Sequence, residues 1–296
     1  MRVAEIFRLP SGRLRLGWRL ALFLLAAALL TFVALLVLPG GLTGSSVATT
    51  MGCLGAGWML LRLEGRPFAD LGLRPGVPAL AGSGAGVGVG VAVGLAAVLL
   101  MAILGGVTWS RTPGTAQAWA LSGGATLGIL ALPALAEEAL LRGYPLLTLS
   151  EEWGGGPAVV VTAVVFGLLH LGNPEVTALA IGNIVAAGLL LGAVYVRTGS
   201  LWWAFGVHLG WNWAHAFLVD LPVSGFDLVD TPLIEAAPRG AQWIGGGAFG
   251  PEGSVAATVA LLCAAAVVWR VRIDEPMGDA GPGGEGVPVE LAERVE

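Results

Sequence analysis

The chain has 296 residues, 56% of them hydrophobic and only 12% charged, with a formal net charge of -5. Soluble globular domains carry about 25% charged residues, so this balance, with a mean hydropathy of +0.82, excludes a soluble enzyme and describes a polytopic membrane protein. All 15 basic residues are arginine, and no basic patch with interleaved aromatics points to a nucleic acid. Cys53 and Cys263 lie in apolar runs without CxxC or Cys/His zinc spacing. This argues against a disulfide framework or zinc finger, and both read as small buried hydrophobes.

Residues 1–19 form a basic amphipathic arm with Arg2, Arg8, Arg13, Arg15 and Arg19, read as cytoplasmic. The apolar run 20–38 that follows is longer than the 7–15-residue core of a secretory signal, and reads as an uncleaved first span. Residues 45–63 make a second span, followed by a charged connector over 62–78. A third span covers 80–104, with glycines at 82, 84, 86, 88, 90 and 94. Small residues four apart let helix backbones approach closely in lipid. With no strand before it and no Lys-Ser/Thr after it, this glycine run is a packing face and not a nucleotide loop.

Residues 119–149 predict a fourth span. It exceeds the ~20 residues a crossing helix needs, so it either tilts or breaks near Gly143-Tyr144-Pro145. Spans over 157–171, 176–196 and 201–219 follow. An acidic stretch over 220–253 holds Asp220, Asp227, Asp230, Glu235 and Glu252 against the single Arg239. An eighth span over 254–269 closes on Arg270 and Arg272, and the Gly/Pro/Glu-rich tail over 273–296 reads as disordered. The expected fold is an all-α transmembrane bundle of about eight spans, oriented N-in/C-in by the placement of arginine. Twelve arginines (2, 8, 13, 15, 19, 62, 66, 74, 197, 270, 272 and 294) then fall on the cytoplasmic side, with only Arg111 and Arg239 outside. The expected divisions are the arm 1–19, three spans over 20–118, a core over 119–220, an extracytoplasmic acidic loop over 221–253, a last span over 254–272 and the tail 273–296.

Charged side chains at a bilayer centre cost about 2.5–3.5 kcal/mol each, so they pair, face the protein interior and mark function. Here they are few: Glu137, Glu138 and Arg142 in the fourth span, His170 in the fifth, Asn183 in the sixth, and His208, Asn212 and His215 in the seventh. Glu138 and Arg142 are four apart and share a helix face. Arg142 can alternatively reach Glu137 or Glu151. Glu137 is turned about 100° around the helix from Glu138 and lacks such a partner. Phe166 and His170 share a face, as do His208 and Asn212. Such a set can hydrolyse a bond: a carboxylate activates water as general base, histidine shares the proton or binds metal, and imidazole or carboxamide donors stabilise an oxyanion. Each residue also has a plainer reading, as interhelical glue or as part of a proton relay.

The three stretches, Glu137-Glu138-x-x-x-Arg142, Phe166-x-x-x-His170 and His208-x-x-x-Asn212, resemble in order and context the motifs of the CAAX-protease and bacteriocin-processing (CPBP, or Abi) family of intramembrane proteases. The resemblance covers about 119–220. It implies a helical membrane endopeptidase in which Glu137 activates water with help from His170, His208 and Asn212 stabilise the oxyanion, and Glu138 and Arg142 hold the helix and carboxylate in place. His215 lies outside the motifs. The family is commonly labelled a metalloprotease. Glu137, His170 and His208 are the candidate ligands of a zinc or other divalent ion, but no HExxH is present and a metal-free glutamate mechanism is the preferred reading. A substrate carrying a lipid anchor or a membrane segment is implied, at the inner (plasma) membrane of a bacterium, with no nucleic-acid partner. Competing readings are a non-catalytic immunity or scaffold protein and a proton-coupled transporter. The transporter requires inverted repeats with broken helices in both halves, and residues 1–118 hold no intramembrane acidic residue.

Overall fold

The computed structural model describes residues 12–271 and Phe7. Most of the expected basic arm (including Arg2 and Arg8) and the tail from 272 lie outside the described residues. The described helices are α1 (Leu16–Leu35), α2 (Gly41–Leu63), α3 (Val77–Ile103), α4 (Ala116–Leu141), α5 (Tyr144–Trp153), α6 (Gly155–Leu169), α7 (Ala178–Thr198), α8 (Leu201–Trp213), the one-turn α9 (Gln242–Gly245) and α10 (Val255–Arg270). Four stretches are long and apolar enough to cross a membrane: Leu16–Leu35, Val77–Ile103, Ala116–Trp153 and Ala178–Thr198, with Gly155–Leu169 and Val255–Arg270 as shorter apolar helices. The chain is an integral membrane protein built almost wholly of helices.

Side-chain caps mark several helix starts. Thr115 accepts from the Ala118 amide, Thr177 from Ala180 and Ser254 from Ala257, each satisfying one of the free N–H groups of a first turn. The long fourth apolar run is broken and not merely tilted. Arg142 and Gly143 both donate their amides to the Glu138 carbonyl, and Pro145 opens the next helix, where its missing N–H costs nothing. A Cβ on Gly143 would sit 2.6 Å from the Ala139 carbonyl oxygen, so only glycine makes this break.

The bundle is organised on α8, which packs against α3, α4 and α7; α7 in turn carries α6 and α10, and α1 and α2 pair, α2 leaning on α4 and α1 on α5. Contact between α3 and α8 is backbone to backbone. A Cβ on Gly86 would lie 2.6 Å from the Trp203 carbonyl oxygen, and one on Gly90 only 2.1 Å from that of Val207. From the other side, a Cβ on Gly210 would meet the Val87 carbonyl oxygen at 2.2 Å. The glycines four apart, Gly82, Gly86, Gly90 and Gly94, make the packing face, while Gly84 and Gly88 between them face open space.

At one end of the bundle Arg19, with no exposed surface, donates twice to Glu64 at 2.8 and 3.0 Å and to Glu151 at 3.2 Å. Arg13 and Arg66 also donate to Glu151, and Tyr144 donates to Glu64 at 2.6 Å. These contacts join the start of α1, the connector between α2 and α3, and the end of α5. At the other end, strand β1 (Val107–Arg111) pairs antiparallel with β2 (Ile234–Pro238), Val107 facing Pro238 and Arg111 facing Ile234. This ribbon is the only two-stranded sheet among the described residues. It converts part of the expected acidic loop into a structured cover, in which Asp220 accepts from the Thr231 and Ala236 amides. Cys53 is buried as expected, but Cys263 is exposed, because its side of α10 faces outward from the bundle.

The close α3–α8 contact makes a prediction. Gly90→Ala should destabilise the protein by about 1–3 kcal/mol, the range for overpacking, read as a lower thermal unfolding midpoint in detergent. Gly84→Ala, where a Cβ meets nothing within 4 Å, should leave the midpoint unchanged or raise it.

Candidate active site

The residues of the three motifs converge from α4, α6 and α8. Glu138 and Arg142 form the buried pair that their spacing predicts: Arg142 Nη1 donates to Glu138 Oε1 at 3.0 Å, and neither side chain has exposed surface. Arg142 also donates to the Gly188 carbonyl of α7 at 3.3 Å and lies over the Phe166 ring, 4.5 Å from its centroid. The pair thereby ties α4 to α6 and α7. Of the alternative partners, Glu151 is taken by Arg13, Arg19 and Arg66.

Glu138 Oε1 has a second partner, His208 Nδ1, at 2.9 Å. His170 Nδ1 lies 2.8 Å from the Phe166 carbonyl oxygen. A carbonyl only accepts, so His170 donates from Nδ1 and turns Nε2 outward. Both histidines thus offer Nε2 to the same place, and Glu137 is there: its Oε2 lies 3.7 Å from His208 Nε2 and 4.0 Å from His170 Nε2. Glu137 keeps 35% of its side-chain surface exposed while its neighbour Glu138 keeps none. The turn of one residue around α4 separates a brace from an accessible carboxylate.

These groups line a cavity of about 390 Å³ between α4 and α6, walled by Leu130, Pro133, Leu140, Phe166, Leu169 and Asn212. That volume is in the range of ligand pockets, ~300–1,000 Å³. His208 and Asn212, one helical turn apart on α8, both face it. Behind the histidines lies a second space of about 20 Å³, bordered by His170, His208, Asn212, Ser224 and Glu252, room for roughly one water molecule.

His215 stays out of the cavity. It is fully buried, with its ring 4.4 Å from that of Trp211, and it packs toward Gly94 of α3. Asn183 is interhelical glue. Its Nδ2 donates to the Glu252 and Ser254 carbonyls at 2.7 and 2.8 Å, and its Oδ1 accepts from Thr258 at 2.6 Å.

Several residues of the site escape a reading of spacing. Val223, Ser224, Phe226 and Leu228, from the stretch expected as an outer loop, form one wall of the cavity, and Asn173 donates to the Ser224 carbonyl at 2.9 Å. Glu252, expected in the same loop, is only 4% exposed. It accepts from Trp211 Nε1 at 2.9 Å, from the Ser224 amide at 2.8 Å and from the Ser224 hydroxyl at 2.6 Å. One carboxylate fastens the wall to α8 beside Asn212. The sequence signals none of this, since an acidic residue among glycines and prolines reads as solvated.

Among the described residues, no group of three or more His, Cys, Asp or Glu side chains is placed to hold a metal ion.

Three variants test the buried network. Arg142→Met strands a buried carboxylate and should cost about 3–5 kcal/mol, whereas the double variant Glu138→Gln/Arg142→Met should recover part of that loss, read by thermal unfolding. Glu252→Ala leaves the Trp211 and Ser224 donors unpaired and should cost about 1–3 kcal/mol for each donor left buried, read in the same way.

Comparison with known proteins adds a separate line of support. Residues 117–214 match the family model described as Rce1-like, type II CAAX prenyl endopeptidase Rce1-like. No curated protein and no solved structure matches the chain. The matched stretch runs from the first turn of α4 to the end of α8 and holds every motif residue, while the wall at 223–228 and Glu252 lie beyond it. Over residues 117–214 the chain is similar to the Rce1-like proteases, the family of the CPBP intramembrane proteases.

Proposed function

We propose that the protein is an intramembrane endopeptidase that hydrolyses a peptide bond of a membrane-embedded or lipid-anchored protein or peptide, using water activated by Glu137. The supporting observation is the meeting of Glu137 Oε2 with Nε2 of His170 and of His208 at the wall of an open cavity. Those separations, 4.0 and 3.7 Å, exceed a hydrogen bond, so Glu137 is not glue between helices. They leave space for a water whose oxygen contacts the carboxylate and one imidazole. Glu137 takes the proton of that water as it attacks the carbonyl carbon, and His170 shares the proton through Nε2 on its way to the leaving amine. The oxyanion that forms on the carbonyl oxygen is met from α8 by the Asn212 carboxamide and by His208, whose imidazolium form donates from Nε2. Glu138 and Arg142 take no part in bond making. They hold α4 so that Glu137 faces the cavity, and they fix the His208 ring through Nδ1.

A scaffold or immunity protein would explain the Glu138–Arg142 pair but not an accessible carboxylate set against two histidines. In the same reading the chain crosses the membrane about eight times with both termini inside, the orientation that the arginine distribution favours, and resides in the plasma membrane of a bacterium.

The test is cleavage of a membrane-anchored reporter peptide by the purified protein in lipid vesicles. Glu137→Gln and His170→Ala should each lower the rate by at least about 100-fold, the lower bound for losing general acid–base catalysis, with the unfolding midpoint retained. Equal cleavage by wild type and both variants would remove the assignment. Exhaustive chelation belongs in the same assay: loss of activity restored by a divalent ion would replace the metal-free route with one that uses Glu137, His170 and His208 as ligands.

A further inference from the structure

The cavity has a closed end and an open end. Its floor is Leu141 and Phe166, resting on Glu138 and Arg142, which have no exposed surface. Beneath them α5 is buried from Tyr144 to Ser150. Its rim is Leu42 in the first turn of α2, Asn173 in the link between α6 and α7, and Phe226 and Leu228 in the segment between α8 and α10. Leu42, Phe226 and Leu228 are 47%, 46% and 39% exposed. All of these segments lie at the end of the bundle that carries the β1–β2 ribbon.

The two ends differ in charge. Among the described residues, Arg13, Arg15, Arg19, Arg62, Arg66, Arg74, Arg197 and Arg270 lie at the end that holds α5 and the floor. The ribbon end holds Arg111 and Arg239. Arginine in short connections stays on the cytoplasmic side of the membrane, and acidic residues weigh little in that choice. The connections at issue are short, apart from the segment between α8 and α10, and each arginine lies close to a helix end. A floor at the arginine-rich end and a rim at the arginine-poor end then place the mouth on the far side of the membrane from the cytoplasm.

We infer that the cavity is entered from the extracytoplasmic face, so that the peptide bond it takes belongs to a membrane-anchored segment presented at the outer leaflet and not to a lipidated tail presented from the cytoplasm. This rests on the endopeptidase reading for the substrate, and on the geometry and charge alone for the side. The rim is apolar and continues into the space between α4 and α6, where Leu140 and Leu169 line the cavity. An apolar anchor can lie there while an extended segment descends past Phe226 to Glu137.

The experiment separates the two dependencies. In a chain with Cys53→Ala and Cys263→Ala, single cysteines are placed by Phe226→Cys at the rim and by Pro67→Cys at the opposite end, and intact cells are treated with a membrane-impermeant maleimide. Phe226→Cys should label in intact cells and Pro67→Cys only after permeabilisation. The reverse pattern overturns the inference. Should Phe226→Cys fail to insert, Trp243→Cys, 55% exposed at the same end, takes its place. The wild-type protein in oriented vesicles is then given the same anchored reporter peptide on one face at a time. Cleavage confined to the outer face supports the inference, and cleavage confined to the cytoplasmic face overturns it whatever the labelling. Outer labelling with no cleavage from either face removes the endopeptidase reading and keeps the mouth where it is placed.

Discussion

A guanidinium and a carboxylate with no exposed surface, 3.0 Å apart inside an apolar bundle, constrain much of what surrounds them. Either charge alone would be costly in that setting, and removing one partner of such a pair leaves the other uncompensated. Because Arg142 also reaches the Gly188 carbonyl and the face of Phe166, the pair requires α4, α6 and α7 to meet at one point. Because Glu138 accepts from His208 as well, α8 must join them with its ring turned one way. The orientation of the His208 imidazole and the packing of four helices are set by the same carboxylate.

That arrangement depends on how closely α8 can be held. Glycines on α3 and α8 bring the two backbones within reach of each other, with no side chain between Gly90 and the Val207 carbonyl. Van der Waals contact of this kind drives helix association in lipid, where apolar side chains gain nothing from leaving the solvent. On its other flank α8 is fastened by Trp211 to Glu252, and Glu252 holds the turn at Ser224. The site is clamped from one side by backbone contact and from the other by a buried carboxylate.

Adjacent glutamates do different work because a helix turns about 100° per residue. Glu138 points into the bundle and is spent on structure, while Glu137 points into the cavity and keeps more than a third of its surface. The matched family stretch, 117–214, supplies the motif residues. The wall that faces them comes from the segment beyond it, so this chain's cavity is shaped by residues that belong to no motif.

Membrane class, helical content and the motif residues were legible in the sequence, because each rests on composition or on spacing within one helix. The Glu138–Arg142 pair follows from a separation of four residues, the break at Gly143 from a Gly-Tyr-Pro run, and the α3 packing face from the period of its glycines. What spacing cannot carry is contact between segments far apart in the chain. Only the tertiary structure turned Glu252 from a solvated loop residue into a buried acceptor, placed Phe226 and Leu228 on the rim, and left His215, in the π-helical turn that follows α8, outside the site despite its place in the same apolar run as His208. The reason is physical: periodicity specifies which face of a helix is apolar, whereas the partner that meets that face is chosen by close packing and by the need to satisfy every buried polar group. His208 shows both halves. Its position on α8 was readable from the chain, but its bond to Glu138, which fixes the nitrogen it presents to Glu137, exists only once four helices have come together.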